Sequence, residues 1–531
     1  MPSKIPTYLY PILSWGLLLF AIGWTLWYVF AGLGNPLDPN YWLYKYSSLE
    51  AGWMSAGTIL VGGIWVRIFG TELLSLRILG WLSVAVAILL PYMCLLSKEQ
   101  RRGNIHWLAA AFALMNYGAF QEFSPGTLTV LCLSSCWVAL IRYRRNPSLK
   151  RAVGIGVLAA ITIFVRFPNV LILPVILLGL MLPKEGWKPN RVHITHSLVM
   201  AGIGCVFAAI LYVIGHNVLI PTYADPAMSS HGLGDMINLL WEKGAMLCGM
   251  ALLCGGLFAI GALAIMWIPS RWNSLWIIAA GVVAGGLVGY YITFVPIVRQ
   301  WYNFDVTYLI SAFCILFALV SRKPIALWGV ALLGVASLGT DTAWLKLFPA
   351  VLCLLPVAAA QYSVEWRRYL WPLTIGLAIT VMIRFSVNSI AGSNLRYVDT
   401  QATVSPYKGI KICENENAWM EQVKADYDSI CGQGTVLAVG WEIHRIRAIT
   451  GCQAARYNEF WSNIFDKVYA SKYKEIIRRE RPIVICSFSP HFKTKPEYKD
   501  CHSAFEEMLR EEGYREIDRS QYKYMIYIPE P

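Results

Sequence analysis

The stretch YPILSWGLLLFAIGWTLWYVFAG, residues 10–32, contains no charged residue. A helix needs about 20 consecutive apolar residues to cross the hydrocarbon core of a bilayer. A signal peptide has a shorter apolar core followed by a small-residue cleavage site, and this stretch has neither feature. It therefore predicts a first transmembrane helix.

Similar runs recur along most of the chain. Of its 531 residues, 56% are hydrophobic and 15% are charged, whereas a soluble domain is about a quarter charged. This composition excludes a disordered chain, a nucleic-acid-binding module and an ordinary soluble enzyme, and it predicts a polytopic α-helical membrane protein. About thirteen transmembrane helices are expected, at 10–32, 72–96, 105–120, 127–142, 152–165, 169–183, 197–218, 244–269, 275–297, 306–320, 325–339, 348–361 and 370–387.

The loops between these runs alternate in charge. One set is rich in Lys and Arg, for example KEQRR (98–102) and RYRRNPSLKR (142–151), whereas the other set, which includes QEFSPG (121–126), is not. Cytoplasmic loops carry the excess of basic residues. The pattern therefore predicts the cytoplasmic (inner) membrane, a cytoplasmic N-terminus and, after an odd number of spans, a periplasmic C-terminal tail.

The net charge is also unevenly divided. Residues 1–387 carry 25 basic and 12 acidic residues, and residues 388–531 carry 20 of each. The excess thus lies in the apolar part, where it indicates topology and contact with lipid headgroups. We expect the lipid bilayer as a partner and no nucleic acid.

The tail has the composition of a soluble domain. We predict a transmembrane domain over 1–390 and an extracytoplasmic α/β domain over 391–531, because helical and strand patterns alternate there. Its helices are expected at 415–429, 458–479 and 502–512, and its strands at 435–441, 446–450 and 482–488, followed by a terminal hairpin or two strands. It has no Gly-rich nucleotide loop and no metal-binding spacing. Cys413 and Cys431 form a disulfide or remain free thiols.

Residues 40–70 form an amphipathic stretch interrupted by glycines. A further span there would invert every later loop and contradict the charge alternation. We therefore expect one or two short interfacial helices near 40–70.

Two carboxylates are candidates for catalysis. Asp38 follows the first span in GNPLDPNYWLY (34–44), where it is a candidate general base; the alternative is a helix N-cap, since Pro39 suits a first helical position. Glu122 lies in the next outer loop and is either a second acidic site residue or a loop acid at a helix end.

Cations at the outer ends of spans are candidates for phosphate binding. Arg166 and Arg299 each end a span, and a guanidinium can hold a phosphate with two hydrogen bonds. The alternative is snorkelling to lipid headgroups. Tyr302 follows Arg299 and is either a sugar platform or an interfacial aromatic residue.

The region from Asp38 to Arg77 resembles a known enzyme class. The order is D-x-x-Y-W-L-Y, an amphipathic stretch, and then IWVRIFGTELLSLRILG (64–80). It is similar to the opening of the GT-C integral-membrane glycosyltransferases, the family of the bacterial lipid A aminoarabinose transferase and the protein O-mannosyltransferases. In those enzymes an Asp opens the first outer loop, a Tyr follows, and Gly and Arg close the loop; these positions here are Asp38, Tyr41, Gly70 and Arg77.

Two departures from the family's pattern stand out. Pro39 replaces the second acidic residue, and SAGTIL (55–60) replaces a Lys-Pro phrase near the lipid phosphate. Contact with the phosphate would then come from Arg166, Arg299 or Lys45.

The resemblance implies an activity on the outer face of the membrane. Such enzymes move a sugar from a polyprenyl-phosphate carrier to a lipid A, glycan or protein acceptor, usually with inversion. It implies Asp38 as the base, Glu122 as a second acidic residue, and Tyr41 and Tyr302 as substrate contacts. Some members bind a divalent metal ion, which Asp38 and Glu122 could share.

Two other functions stay open from the sequence. A transporter or flippase for lipid-linked saccharides would also need many spans and outer cations, but would favour charges inside spans and symmetric halves. A polymerase of lipid-linked saccharides would favour a large loop between late spans in place of a terminal α/β domain.

Overall fold

The computed structural model describes residues 9–32, 38–51, 55–115, 122–182, 191–221, 241, 279–283, 286–287, 305–338, 347–362, 376, 379, 398–431, 435–440, 442–451, 467–487 and 496–530. The predicted span 244–269 and most of 275–297 and 370–387 lie outside them.

The first part of the chain is a helical bundle. Its described helices are α1 (Leu9–Val29), α2 (Asp38–Ser48), α3 (Ala56–Phe69), α4 (Leu73–Leu95), α5 (Lys98–Gly103), α6 (Ile105–Leu114), α7 (Pro125–Arg145), α8 (Leu149–Val165), α9 (Ile172–Met181), α10 (Arg191–Val218), α11 (Asp305–Val320), α12 (Pro324–Leu333), α13 (Leu347–Leu352) and α14 (Leu354–Ala359). Three of them, α4, α7 and α10, are long and apolar enough to cross a membrane. The chain is therefore a multi-pass membrane protein.

The boundaries of α7 follow from its sequence. The Ser124 hydroxyl accepts a hydrogen bond from the Thr127 backbone, and Pro125 occupies the first helical position. Arg142, Arg144 and Arg145 fill its last turn, where cations complement the helix dipole. Large side chains such as Trp107 of α6 and Trp137 of α7 are fully buried in the bundle core.

The stretch 40–70 forms two short helices, α2 and α3, packed closely together. Their approach requires glycine: a Cβ on Gly62 of α3 would lie 2.4 Å from the Tyr46 ring, and one on Gly63 would lie 2.3 Å from Leu49. After α2, β1 (Glu50–Ala51) pairs in parallel with β2 (Ile220–Pro221), which follows α10.

The tail is built on a four-stranded sheet. Strands β5 (Val436–Gly440) and β6 (Ile483–Ser487) are parallel, and the hairpin of β7 (Tyr514–Arg519) and β8 (Tyr524–Pro529) adds to β6 in the order β5-β6-β8-β7. The short strands β3 (Thr400–Gln401) and β4 (Lys411–Ile412) form a separate pair. The helices are α15 (Glu414–Asp426), α16 (Ile443–Thr450), α17 (Lys467–Glu480) and α18 (Pro496–Glu511).

One predicted strand of the tail is wrong. Residues 446–450 belong to helix α16. Ile443, Ile446 and Ile449 recur every three residues, which matches a helical face rather than the alternation of a strand. All three are buried in the core cluster that also holds Val436 of β5.

The structure also distinguishes between a disulfide and a free thiol at Cys413. Cys413 is a free thiol, so it forms no disulfide with Cys431.

Backbone hydrogen bonds join the tail to the bundle. The Lys411 N–H donates to Phe30 O at 2.8 Å, and the Gly32 N–H donates to Lys411 O at 2.8 Å. The Leu73 N–H at the start of α4 donates to Pro406 O at 2.8 Å. The tail is thus fixed to the end of the bundle where α1 ends and α4 begins.

Candidate active site

Helix α2 lies between the bundle and the tail. On the bundle side, Tyr46 is fully buried and its hydroxyl donates to Phe123 O at 2.9 Å. On the tail side, the Tyr407 hydroxyl donates to Asn40 Oδ1. This single helix therefore contacts both parts of the chain.

Helix α16 of the tail is set by the end of strand β5. Gly440 has a φ of 95°, and a Cβ there would lie 2.1 Å from Ser487 O at the end of β6, so the turn needs glycine. The Ser487 hydroxyl then accepts from the Glu442 N–H at 2.8 Å. These contacts start α16 at the carboxyl ends of two parallel strands, the edge where α/β sheets commonly hold their sites.

Aromatic contacts join α16 to α2. The rings of His444 and Tyr41 meet edge to face with centroids 5.1 Å apart. The Arg447 guanidinium carbon lies 3.8 Å from the Tyr44 ring centroid, a cation–π geometry. We call the group Tyr41, Tyr44, Lys45, Glu50, His444 and Arg447 the α2–α16 cluster.

Lys45 is the cation that α2 contributes to this cluster. Its ammonium lies 3.5 Å from Glu50 Oε2, and only 3% of its side chain is exposed. The Tyr44 hydroxyl donates to Glu50 Oε1 at 2.8 Å. Burial, opposed by the nearby Arg447 charge and reinforced by Glu50, raises the pKa of Tyr44 to about 12. Tyr44 is therefore a neutral hydrogen-bond donor at physiological pH.

His444 is held neutral in the same cluster. Burial, together with the Arg447 and Lys45 charges, lowers the pKa of His444 to about 3. Arg447 and Lys45 supply two positive charges and Glu50 one negative charge. The cluster therefore carries a net positive charge at neutral pH, which suits an anionic ligand.

Arg445 adds a further buried cation on α16. Its guanidinium stacks on Trp419 at 4.7 Å, and its Nη1 lies 3.7 Å from Glu442 Oε2. Within the part of the chain that the structure describes, Arg445 Nε and Nη2 have no hydrogen-bond partner. Burial raises the pKa of Glu442, although the Arg445 charge opposes the shift. Buried donors of this kind favour an anionic acceptor.

Position 38 begins the helix that carries Tyr41 and Lys45. Residues three, four and seven apart lie on one face of an α-helix. The backbone therefore places positions 38, 41 and 45 on the same face of α2, one turn after another. The predicted base thus shares a helix face with the cation Lys45.

Glu122 contacts a different predicted residue. It lies 3.2 Å from Arg77 Nη2 in a buried ion pair. Arg77 also donates to Gly32 O at 2.6 Å and to Val29 O at 3.4 Å. The pair therefore fixes the end of α1 at Val29 and Gly32 just after it. Burial raises the pKa of Tyr407, and the Glu122 charge adds to that rise.

Arg166 lies at the end of α8 and bonds to backbone. Its guanidinium donates to Ala336 O at 3.2 Å and to Leu338 O. It thereby satisfies carbonyls at the end of the 3₁₀ turn Gly334–Ser337. Among the described residues, Arg166 bonds to these carbonyls and not to a side chain of the α2–α16 cluster. Arg299 and Tyr302 lie outside the described residues.

Helix α16 contributes site residues that were not predicted from the sequence. Its segment GWEIHRIRAIT (440–450) carries four ionisable side chains, Glu442, His444, Arg445 and Arg447, directly after a glycine that ends a strand. That density of charge at the carboxyl end of a parallel strand was a usable signal. Among the described residues, no group of three or more His, Cys, Asp or Glu side chains is arranged to hold a metal ion.

The chain was compared with known proteins. No protein-family model and no curated protein matches it. Among solved structures it is similar to ArnT from Cupriavidus metallidurans in the apo state, at 12% identity over 97% of this chain and 98% of that chain, with a TM-score of 0.45.

It is also similar to the Archaeoglobus fulgidus oligosaccharyltransferase tethered with an acceptor peptide. The identity is 12% over 98% of this chain and 74% of that chain, with a TM-score of 0.40. Both are GT-C enzymes, the class that the opening segment resembles. At these TM-scores neither likeness bears on the role of any side chain.

Proposed function

We propose that this protein is a membrane glycosyltransferase that moves a sugar from a polyprenyl-phosphate carrier to an acceptor hydroxyl or amide. The proposed site is the α2–α16 cluster, with Asp38 at the start of α2. The donor's lipid tail would lie between spans, and its phosphate would face the cluster. The acceptor is a lipid, a glycan or a protein.

The proposed reaction is a single displacement. Asp38 takes the proton of the acceptor as the acceptor atom attacks the anomeric carbon. The bond from that carbon to the phosphate oxygen breaks, the anomeric configuration inverts, and polyprenyl phosphate leaves. Because the leaving group already is a phosphate, it needs cations more than an acid.

Three cations are proposed to stabilise that leaving group. Lys45 and Arg447 are the charges of the α2–α16 cluster, and Arg445 is the neighbouring guanidinium with two donor atoms that no described residue engages. Arg166 and Arg299 remain proposed phosphate contacts from the sequence. Glu122 is proposed to act through Arg77, which holds the end of α1.

One observation carries the proposal. Position 38 and Lys45 share one face of α2, and the same helix contacts His444 and Arg447 of the tail. The proposed base and Lys45 thus come from α2, and Arg447 comes from the helix of the tail that contacts α2. That combination suits transfer of an anionic lipid-linked group to an acceptor from the aqueous side.

The test is donor turnover by the purified full-length protein. The protein in detergent is mixed with a panel of radiolabelled polyprenyl-phosphate sugars, with and without an envelope acceptor extract, and released polyprenyl phosphate is measured. Wild type is compared with Asp38→Asn and Arg447→Gln. Arg479→Gln is the matched control, because Arg479 is a partly exposed tail arginine that forms ion pairs with Glu475 and Glu480 of its own helix.

The outcomes separate the parts of the proposal. Loss of turnover in Asp38→Asn and Arg447→Gln, with Arg479→Gln unchanged, supports the class and the site together. Full turnover in Asp38→Asn would refute Asp38 as the base. Transport of labelled donor across vesicles without any release of polyprenyl phosphate would refute the transferase function and favour a flippase.

A further inference from the structure

A second concave site lies at the other end of the bundle. Helices α4, α7 and α8 line an open cavity of about 610 Å³ there, within the range of ligand pockets. Leu90, Val138 and Leu158 are among its apolar walls. The basic loops 98–102 and 142–151 leave the bundle at this same end, so the positive-inside rule assigns it to the cytoplasmic side.

Three arginines line the mouth of this cavity. Arg145 donates to Leu95 O at 2.7 Å, and Arg151 donates to Asn146 O at 2.6 Å and to Arg142 O at 2.8 Å. These bonds hold two of the guanidinium groups in place by capping the ends of α4 and α7. The exposed Arg142 guanidinium makes no hydrogen bond or ion pair with any described residue.

The lining of this cavity combines positively charged side chains with apolar ones. Of the described residues around the cavity, three are arginines at the mouth, none is acidic, and most of the others are apolar. A soluble anion would gain little from apolar walls, and a neutral lipid would gain little from three cations. An amphiphile with a negatively charged head and a hydrocarbon tail matches both features.

We propose that this cavity binds an anionic phospholipid of the cytoplasmic leaflet, with its phosphate at Arg142, Arg145 and Arg151 and one acyl chain along Leu90, Val138 and Leu158. The site is separate from the proposed active site, which lies where α1 ends and α7 begins. Basic pockets between transmembrane helices on the cytoplasmic side are suited to anionic headgroups.

Two substitutions probe the two halves of the cavity. Gly154 lies on the wall, and a Cβ built on it meets no atom within 4 Å, so the side chain of Gly154→Leu can begin in open space and occupy part of the cavity. Its matched control is Gly202→Leu on α10, where a Cβ also meets nothing within 4 Å. Arg142→Gln removes one charge at the mouth, and Arg102→Gln removes one exposed charge from the basic loop outside the cavity.

The experiment measures lipid binding by the full-length protein in a neutral detergent. Bound lipid is counted by native mass spectrometry, and the thermal unfolding midpoint is recorded with phosphatidylglycerol, phosphatidylcholine or inorganic phosphate. We expect phosphatidylglycerol to bind wild type and raise its midpoint more than phosphatidylcholine does. Arg142→Gln should weaken this binding about fivefold, since one basic side chain near an anionic headgroup contributes about that factor.

Gly154→Leu should abolish the bound phosphatidylglycerol, while Gly202→Leu and Arg102→Gln should bind it as wild type does. The unliganded midpoints of the variants show whether each is folded. Equal binding of phosphatidylcholine, unchanged binding in Gly154→Leu, or displacement of phosphatidylglycerol by millimolar inorganic phosphate would each overturn the proposal.

Discussion

The bundle and the tail use buried arginines in different ways. Arg77 and Arg166 of the bundle are 2% and 6% exposed, and Arg445 and Arg447 of the tail are 6% and 5% exposed, so burial alone does not distinguish them. The bundle arginines donate to backbone carbonyls at the ends of other helices. The tail arginines lie against aromatic rings: Arg445 against Trp419, and Arg447 against Tyr44.

Substitution of the two kinds of arginine should therefore have different effects, on stability in the bundle and on activity in the tail. A guanidinium that satisfies helix-end carbonyls replaces water that cannot reach them, so its removal leaves buried acceptors without donors. Arg445, which stacks on Trp419, keeps Nε and Nη2 that no described residue engages. We therefore expect substitutions in the bundle to reduce stability and substitutions in α16 to reduce activity.

The largest effect is expected for Arg77→Met. It removes the buried ion pair with Glu122 and the donors to the Gly32 and Val29 carbonyls. Breaking a buried ion pair in this way costs about 3–5 kcal/mol. The thermal unfolding midpoint in detergent should fall strongly.

A double substitution checks the cause. In Arg77→Met with Glu122→Leu, the uncompensated carboxylate is also gone, so part of the lost stability should return. If the double variant is as unstable as Arg77→Met, the buried charge of Glu122 is not the source of the loss.

The tail arginines should show the opposite pattern. In Arg447→Gln the proposed leaving-group cation is lost, and removal of one such stabilising donor lowers kcat by about 10²–10³-fold. The stability cost should stay near the contribution of a buried cation–π contact, about 2 kcal/mol. Parallel measurement of kcat and the unfolding midpoint distinguishes this result, and a large loss of stability with full kcat would place Arg447 with the bundle arginines.

An intermediate effect is expected where α2 packs on α3. Gly62→Ala puts a Cβ 2.4 Å from the buried Tyr46 ring, and overpacking of this kind costs about 1–3 kcal/mol. Gly202→Ala is the matched control: a Cβ there meets nothing within 4 Å, so it should raise helix stability slightly. Equal unfolding midpoints for the two variants would show that α2 can move away from α3.

The sequence predicted more of the bundle than of the site. A long apolar run such as Leu73–Leu95 can be recognised from a short window of sequence, without knowledge of the tertiary structure. The position of Asp38 before Tyr41 and Lys45 was also visible, since these residues are close in sequence. The charged residues of α16 could be read from the sequence, but their contact with α2 could not, because Tyr44 and Arg447 are brought together only by the folding of the tail onto α2.

The local sequence pattern gave a wrong secondary structure for residues 446–450. The residues after 445 were predicted as a strand, and the charged residues between the isoleucines of α16 obscured its helical period. For Arg77 the family resemblance identified the position but not the contacts. Its bonds to Gly32 and Val29 depend on how the end of α1 packs against α4. The role of a residue here follows from tertiary contacts that spacing does not encode.

The smallest effect is expected in the dependence of stability on pH. In the unfolded chain His444 gains a proton near its ordinary pKa of 6.5, whereas in the folded chain its pKa is about 3 because of burial and of the Arg447 and Lys45 charges. Between these values the unfolded chain binds more protons. The free energy of unfolding therefore falls as the pH is lowered through this window.

His444→Phe keeps an aromatic ring against Tyr41 and removes the titration, so its unfolding midpoint should fall less between pH 7 and pH 4. Glu442 acts with the opposite sign: its raised pKa means that the folded state binds more protons than the unfolded one above pH 4.5, so lower pH favours folding. Glu442→Gln should therefore steepen the fall that His444→Phe flattens. The two slopes, measured by thermal unfolding in the same detergent, test whether α16 stays buried against α2, because an exposed His444 would make the slope of His444→Phe equal to that of wild type.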